Sequence, residues 1–161
     1  MPLIHLTTFI AAPIERVFDL SRSIDVHKKS MIDFKERPVN GKINGLVDLD
    51  DTVTWCARHL GKERRLTVKI TQYSKPFSFV DEQLSGDFKC MKHEHFFKAC
   101  ENGTIMIDKF YFEAPYQVFG KCFSYLYLTG YMRKLLRKRN EFVKKLSETK
   151  EWKHYVLPDH L

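Results

Sequence analysis

Apolar and polar residues alternate along most of the first 113 positions, a pattern typical of half-buried β-strands. Turn signals such as Asn40-Gly41 and Asn44-Gly45 separate the alternating segments, and Asn102-Gly103 predicts a tight hairpin. The turn Leu60-Gly61-Lys62 separates two further strands. The pattern predicts strands over residues 3–11, 31–39, 52–59, 64–73, 77–84, 88–100 and 104–113.

Helical patterns interrupt the strands near the start of the chain and follow them at its end. Pro13 suits the first turn of a short helix, and Ser23 and Asp25 offer caps for a second one toward Lys29. Apolar residues then recur with helical spacing and predict one long amphipathic helix, roughly 42 Å in length at 1.5 Å per residue. Gly130 lies within this helix. It marks a bend or a close approach of another backbone segment, or it is simply tolerated at some cost in helix propensity. The apolar positions are 119, 122, 123, 126, 127, 131, 135, 142, 143 and 146.

A long helix that follows a run of antiparallel strands is expected to pack on the concave face of their sheet. We therefore predict an α+β fold, in which a curved antiparallel sheet wraps around the long C-terminal helix and leaves a cavity between them. Residues 1–148 form one domain in this prediction. Residues 149–161 form a C-terminal extension that we expect to dock on the body of the protein or on a partner, because it carries Trp152, Tyr155, Val156 and Leu157.

The composition fits a folded globular protein, with 43% hydrophobic and 14% aromatic residues. Aromatic side chains of this abundance fill wide cores and line apolar pockets. The longest apolar run, over residues 123–132, is far shorter than the roughly 20 residues that span a bilayer. The N-terminus lacks a signal-peptide pattern, and the four cysteines have no paired spacing. We therefore expect a cytoplasmic protein with reduced thiols at Cys56, Cys90, Cys100 and Cys122.

The net charge of +7 raises the question of a nucleic-acid or anionic-membrane partner. Many of the cations cluster near the end of the long helix, where they favour the helix dipole and form an ordinary solvated face. No nucleic-acid motif accompanies them, so we predict no nucleic-acid partner and treat peripheral membrane contact as a minor alternative. The oligomeric state, monomer or dimer, is left open. The cations are Arg133, Lys134, Arg137, Lys138, Arg139, Lys144 and Lys145.

Strand periodicity sorts the side chains of each strand onto two faces. On the strand over 88–100 the more apolar face includes His93 and His95, so two histidines are expected on the buried side. Neighbouring strands add large aromatic groups and a few polar ones to this inner surface. The expected inner residues are Val53, Trp55, Ala57 and His59; Phe77, Phe79, Asp81 and Gln83; Met91, His93, His95, Phe97 and Ala99; and Met106, Asp108, Phe110 and Phe112.

The polar members of this surface have three interpretations, because buried polar groups must pair or meet water or a ligand. They can brace the core through Asp–His hydrogen bonds, or form the polar end of a ligand pocket. They can also carry catalysis or a metal, with His93, His95, Asp81 and Asp108 as the candidate catalytic residues. Two histidines separated by one residue are a weak metal motif, and no nucleophile elbow, phosphate loop or zinc motif is present. The sequence therefore predicts neither a tight metal site nor a cofactor.

Several stretches of the chain resemble a known superfamily. The segment TTFIAAPIERVF, at residues 7–18, resembles the N-terminus of SRPBCC proteins, also called START-like or helix-grip proteins. Further resemblance lies in VTWCARH (53–59), DEQLSGDF (81–88), HEHFF (93–97), GTIMID (103–108) and EAP (113–115). The bacterial subgroup that looks most similar is often labelled cell division inhibitor or polyketide cyclase/dehydrase. Where many relatives have Gly-Pro-Phe, this chain has Gly86-Asp87-Phe88.

The resemblance implies a seven-stranded sheet that grips the C-terminal helix around a cavity for lipids, isoprenoids, polyketides or aromatic molecules. Our leading hypothesis is a non-enzymatic carrier or sensor of a small, mostly apolar ligand. The alternatives are an enzyme of the cyclase or dehydratase type that uses a buried His/Asp pair, and an interaction module that uses the basic helix face. The expected ligand-binding residues are Trp55, His59, Phe79, Asp81, Gln83, His93, His95, Phe97, Asp108, Phe110, Phe112, Tyr125 and Tyr127.

Overall fold

The computed structural model of the chain describes residues 3–114 and 121–156, without the side chains of residues 121–125. Within these residues, seven antiparallel strands form one sheet in the order β1-β7-β6-β5-β4-β3-β2. Two short helices follow β1, and a long helix follows β7. The elements are β1 (Leu3–Ile10), α1 (Ile14–Ser21), α2 (Ile24–Ser30), β2 (Arg37–Gly41), β3 (Thr52–His59), β4 (Lys62–Ser74), β5 (Ser78–Ser85), β6 (Cys90–Cys100), β7 (Gly103–Glu113) and α3 (Lys121–Glu148).

The predicted α+β fold, with a sheet that grips the C-terminal helix, is confirmed. Helix α3 packs against β1, α1 and α2, so the core lies between the sheet and the helices. Strand β7 alternates strictly between buried and half-buried residues, as its sequence predicts. Strand β4 has two register shifts, at Thr67/Val68 and at Ile70/Gln72. Such bulges bend a strand and increase its twist, which suits a sheet curved around a helix.

Three local predictions are wrong. The segment 31–39 is not one strand, because Met31 ends α2 and a 3₁₀ turn over Ile32–Phe34 precedes β2. Phe77 is 60% exposed, because it lies in the turn before β5 rather than on the inner face. Ala99 is exposed near the end of the β6–β7 hairpin.

Two hairpins of the sheet, β3–β4 and β6–β7, have loops of two residues. His59 pairs with Lys62, and Leu60 and Gly61 between them have φ values of 52° and 78°, which is the type I′ geometry of two-residue hairpins. In the β6–β7 hairpin Cys100 pairs with Gly103, so the loop consists of the two residues before Gly103. A Cβ atom on Gly103 would lie 2.2 Å from the carbonyl oxygen of Ile10, so this position requires glycine.

The inward face of α3 differs from the predicted one. Leu126 and Tyr127 are 64% and 54% exposed, although the spacing predicts them to be buried. Arg139, expected on the solvated basic face, is 5% exposed, because its guanidinium reaches buried acceptors that are described below. At Gly130 an added Cβ would meet nothing within 4 Å, so the interpretation as a close backbone approach is wrong. Among residues 126–148 of α3, the buried positions are Leu135, Leu136, Arg139, Asn140, Val143, Leu146 and Ser147.

Residues 149–156, which follow α3, lie against the body of the protein. The guanidinium of Arg16 lies 4.4 Å from the centre of the Trp152 ring, and Val156 is 1% exposed within the core. Cys56 is buried, Cys90 and Cys100 are exposed, and none of the three is in a disulfide. None of the described helices combines the length and the apolar character that crossing a membrane requires.

Candidate functional site

Two cavities lie side by side between the sheet and α3. The inner cavity has a volume of about 180 Å³ and the outer one about 450 Å³. Their linings overlap, so we call the zone between them the neck. The seven shared residues that define the neck are Glu36, Trp55, His59, Leu66, Phe88, Met132 and Leu135.

The inner cavity is mostly apolar and has one polar end on the sheet. His93 and His95 of β6 line it together with Asp81 of β5. These residues meet because of the strand register: Asp81 pairs with His93, and His95 pairs with both Phe79 on β5 and Asp108 on β7. Directly paired residues share a face of the sheet, so four residues separated in sequence form one polar cluster.

Hydrogen bonds connect the members of this cluster. The Nε2 atom of His93 lies 2.9 Å from Oδ1 of Asp108, and Nε2 of His95 lies 3.0 Å from Oδ1 of Asp81. The Nδ1 atom of His95 is also 2.9 Å from Oδ1 of Asp108, although this contact lacks hydrogen-bond geometry. The two imidazole rings are 3.8 Å apart between centres, and Phe79 stacks on His95 at 4.2 Å. The His95 ring is therefore packed against both Phe79 and His93.

Helix α3 completes the cluster from the opposite side. Asn140 donates a hydrogen bond of 2.6 Å from Nδ2 to Oδ2 of Asp108, which is fully buried. Arg139 donates from Nη2 to the carbonyl oxygen of Ser21 at 2.8 Å, and its Nη1 lies 3.5 Å from Oδ1 of Asp108. The carboxylate of Asp108 thus joins the sheet to the helix.

Burial sets the protonation of these groups. Burial lowers the pKa of His93 to about 4. Neighbouring His95 lowers this pKa further, and the hydrogen bond with Asp108 only partly offsets the decrease. His93 is therefore neutral at pH 7. For Asp108, burial by itself raises the pKa, but the hydrogen bond from His93 and the close contact with His95 hold it well below its ordinary value. The pKa of Asp81 is lowered in the same way by His95 and nearby cations, against the effect of burial. Both carboxyl groups are ionised at neutral pH.

A second polar group lies at the neck. Nδ1 of His59 is 2.8 Å from the hydroxyl of Tyr131, and burial lowers the pKa of His59. Nε2 of His27 is 2.8 Å from Oε1 of Glu36, and the His27 ring packs on Trp55 at 4.3 Å. The neck therefore contains hydrogen-bonding groups as well as apolar surface.

The structure distributes the predicted ligand-binding residues over different positions. Trp55, His59, Phe79, Asp81, His93, His95 and Phe110 line the inner cavity, and Tyr127 lines the outer one. Four others lie outside both linings. Asp108 is behind the histidines, Phe97 and Phe112 are in the core, and Gln83 donates from Nε2 to the carbonyl of Phe88 at 2.8 Å. The side chain of Tyr125 is outside the described residues.

Sequence reasoning named Tyr125 and Tyr127 of the long helix but missed the other residues that the helices contribute to the site. Met132, Leu135 and Leu136 line the inner cavity, and they continue a spacing of three to four residues that identifies a helix face. Arg139 and Asn140 lie on the same face but are polar, so hydrophobic periodicity cannot find them. Met31 and Glu36 come from a segment that was predicted as a strand.

Comparison with solved structures identifies the fold as START-like. TTHA0849 from Thermus thermophilus has a TM-score of 0.69 at 19% identity, over 91% of this chain and 99% of its own. A START superfamily protein from Mycobacterium smegmatis has a TM-score of 0.67 at 12% identity, over 89% and 98% of the two chains. Major latex-like protein 151 from Panax ginseng gives 0.65 at 12%, over 92% and 98%. No protein-family model and no curated protein matches the sequence.

Proposed function

We propose that this START-like chain binds a small, mostly apolar ligand between the sheet and α3, as a carrier or sensor. The observation that carries the proposal is the inner cavity, whose walls are mostly apolar and include a few groups of polar side chains, one of them the cluster of Asp81, His93 and His95. Its walls come from Trp55, Phe79, Phe110, Met132 and Leu135 among others. Ligand pockets have this character, because apolar surface supplies affinity and a few polar groups fix orientation.

The cavity volumes indicate how the ligand lies. The inner cavity of about 180 Å³ is smaller than most ligand pockets, which measure roughly 300–1,000 Å³, whereas the outer one of about 450 Å³ is within that range. A ligand with an extended apolar body therefore fits best across the neck, with its body in the outer cavity and a narrower end in the inner one. Its polar group then reaches His93 and Asp81.

Binding fits the polar cluster better than acid–base catalysis does. The alternative, an enzyme of the cyclase or dehydratase type, would use His93 or His95 as a general base or acid with Asp81 or Asp108. A general base works best when its pKa is near the working pH, and burial lowers the pKa of His93 to about 4. His93 is thus a weak base but a good hydrogen-bonding group for a ligand.

The third hypothesis, an interaction module on the basic helix face, loses support from the ion pairs of that face. Arg139 is buried, and Lys138 pairs with Asp33. Lys144 pairs with Glu148 at 2.7 Å. The remaining exposed cations of α3 are fewer than the sequence suggests.

A pair of matched tryptophan variants tests the proposal with the fluorescent dye anilinonaphthalene sulfonate. Met132 is half-buried and lines both cavities, so Met132→Trp fills the space where we expect the ligand. Leu126 is on the same helix and 64% exposed, so Leu126→Trp adds the same side chain outside the cavities. We expect the dye affinity to fall about tenfold or more in Met132→Trp, about 1.4 kcal/mol, and to change little in Leu126→Trp.

Native mass spectrometry of the purified protein, followed by extraction, then identifies any molecule that co-purifies. Equal dye affinity in the wild type and Met132→Trp, with both proteins folded by circular dichroism, would contradict the proposal. So would a larger loss in Leu126→Trp than in Met132→Trp.

A further inference from the structure

We propose that Asp81, His93 and His95 form a three-ligand site for a divalent first-row transition metal ion such as Zn²⁺ or Fe²⁺. The proposal goes beyond the binding of an apolar ligand and stands independently of it. It reverses the sequence-based expectation of no tight metal site, because that expectation rested on two histidines alone. The fold adds a carboxylate from a neighbouring strand.

The distances suit metal coordination. One ligand atom from each of the three residues lies within 4.8 Å of the other two. Nε2 of His95 and Oδ1 of Asp81 are 3.0 Å apart. Two ligand atoms that bind one ion at about 2.1 Å are separated by about 3.0 Å at a right angle and by about 3.4 Å at the tetrahedral angle that Zn²⁺ prefers. Small movements of the side chains would bring all three ligand atoms to bonding distance of one ion.

Asp108 lies close to one nitrogen of each ring, which is where the outer carboxylate of a metal site is found. It lies 2.9 Å from Nε2 of His93 and 2.9 Å from Nδ1 of His95, so each imidazole turns one nitrogen toward the same buried carboxylate. Metal-binding histidines almost always place their second nitrogen against such an outer carboxylate or carbonyl. The nitrogens that remain are Nδ1 of His93 and Nε2 of His95, and no hydrogen bond among the described residues uses Nδ1 of His93.

The kinds of ligand and the local charge select the class of ion. Two imidazoles and one carboxylate suit Zn²⁺ or Fe²⁺, whereas Mg²⁺ and Ca²⁺ prefer all-oxygen sites. Asp81 and Asp108 carry two negative charges. Among the described residues of this cluster, the positive charge comes from Arg139, whose Nη1 lies 3.5 Å from Oδ1 of Asp108. The cluster therefore has an excess negative charge that a divalent ion offsets. Three protein ligands leave coordination positions open toward the inner cavity.

Calorimetric titration of the chelator-treated protein with Zn²⁺ tests the site, and Co²⁺ absorption reports its ligands. We expect one equivalent of Zn²⁺ per chain, and a Co²⁺ spectrum without the intense thiolate band that cysteine ligands would give. Asp81→Asn and His93→Gln should lose stoichiometric binding. Asp108→Asn should weaken it about 10- to 100-fold, as the loss of an outer carboxylate does. His59→Gln, a histidine of the neck, should keep wild-type affinity.

If the variants fail to fold, imidazole ¹⁵N NMR spectra of the wild type test whether His93 and His95 bind the metal ion. Zn²⁺ should shift the resonances of His93 Nδ1 and His95 Nε2 and leave those of His59 in place. Absence of binding by folded wild-type protein would overturn the proposal. Binding that survives in folded Asp81→Asn and His93→Gln, a thiolate band with Co²⁺, or unshifted His93 and His95 nitrogens would also overturn it.

Discussion

The link between Asn140 and Asp108 gives the most direct test of how the sheet is fixed to the helix. Replacement of Asn140 by Asp is almost isosteric, but it removes the amide that donates to Oδ2 of Asp108 at 2.6 Å. A carboxylate oxygen then faces a carboxylate oxygen at this distance. Both side chains are buried, with exposures of 2% for Asn140 and 0% for Asp108, so solvent screens the repulsion poorly.

The expected destabilisation has two parts. A hydrogen bond to a charged group contributes about 1.5–3 kcal/mol to stability. Two unit charges about 4 Å apart repel by about 4 kcal/mol at an effective dielectric constant of about 20. Protonation of one carboxyl limits the second part, so we expect Asn140→Asp to lose about 3–6 kcal/mol at pH 7. Asn140→Leu removes the donor without adding charge, so it should lose only about 1–3 kcal/mol.

Urea unfolding of both variants between pH 4 and pH 8 separates the two parts. In Asn140→Asp, repulsion raises the folded-state pKa of the new carboxyl above its unfolded value of about 3.9. The penalty is therefore complete above the folded-state pKa and shrinks as the pH falls through it toward the unfolded value. The difference between Asn140→Asp and Asn140→Leu should decrease on acidification. Equal stability of the two variants at pH 7, or a difference independent of pH, would refute an ionised Asp108 in contact with Asn140.

Three further substitutions test other parts of the structure. His95→Phe, in chelator-treated protein, should lower the free energy of unfolding by about 1–3 kcal/mol in urea melts, because it leaves the carboxylate of Asp81 without the imidazole nitrogen at 3.0 Å. Gly103→Ala should cost about 1–3 kcal/mol by thermal unfolding, because its Cβ would lie 2.2 Å from the carbonyl of Ile10. Trp152→Ala should cost about 1 kcal/mol in urea melts, because Arg16 loses the ring at 4.4 Å.

Each of these expectations has a clear contrary result. An unchanged unfolding midpoint in His95→Phe would contradict the contribution of this hydrogen bond to the stability of the core. Gly130→Ala is the control for Gly103→Ala, because nothing lies within 4 Å of an added Cβ at Gly130. It should stabilise the protein by up to about 1 kcal/mol through helix propensity. Equal effects of the two substitutions would contradict the close approach at Gly103. An unchanged midpoint in Trp152→Ala would show that the segment after α3 adds nothing to stability.

Local sequence patterns determined most of the secondary structure and the faces of the strands. Alternation with a period of two placed Met106, Asp108, Phe110 and Phe112 on the buried face of β7, because successive side chains of a strand point to opposite faces. The same argument put His93 and His95 on the inner side of β6. These predictions succeeded because each depends only on neighbouring residues. The segment 31–39 failed because its mixed pattern matches neither period.

Only the tertiary structure decided which polar groups meet and which residues close the site. The sequence marks Asp81, His93, His95 and Asp108 as inward-facing, but the register of three strands brings them into contact. Register depends on the turns and bulges of the whole sheet, so a single strand cannot encode it. On α3, the sequence pattern predicted that Arg139 is a solvated cation, and it gave no signal that Asn140 is buried. Their burial is favourable only because Ser21 and Asp108, far away in the sequence, offer acceptors at the right place. A buried polar residue is recognisable only once its partner is known, and the partner is a property of the fold.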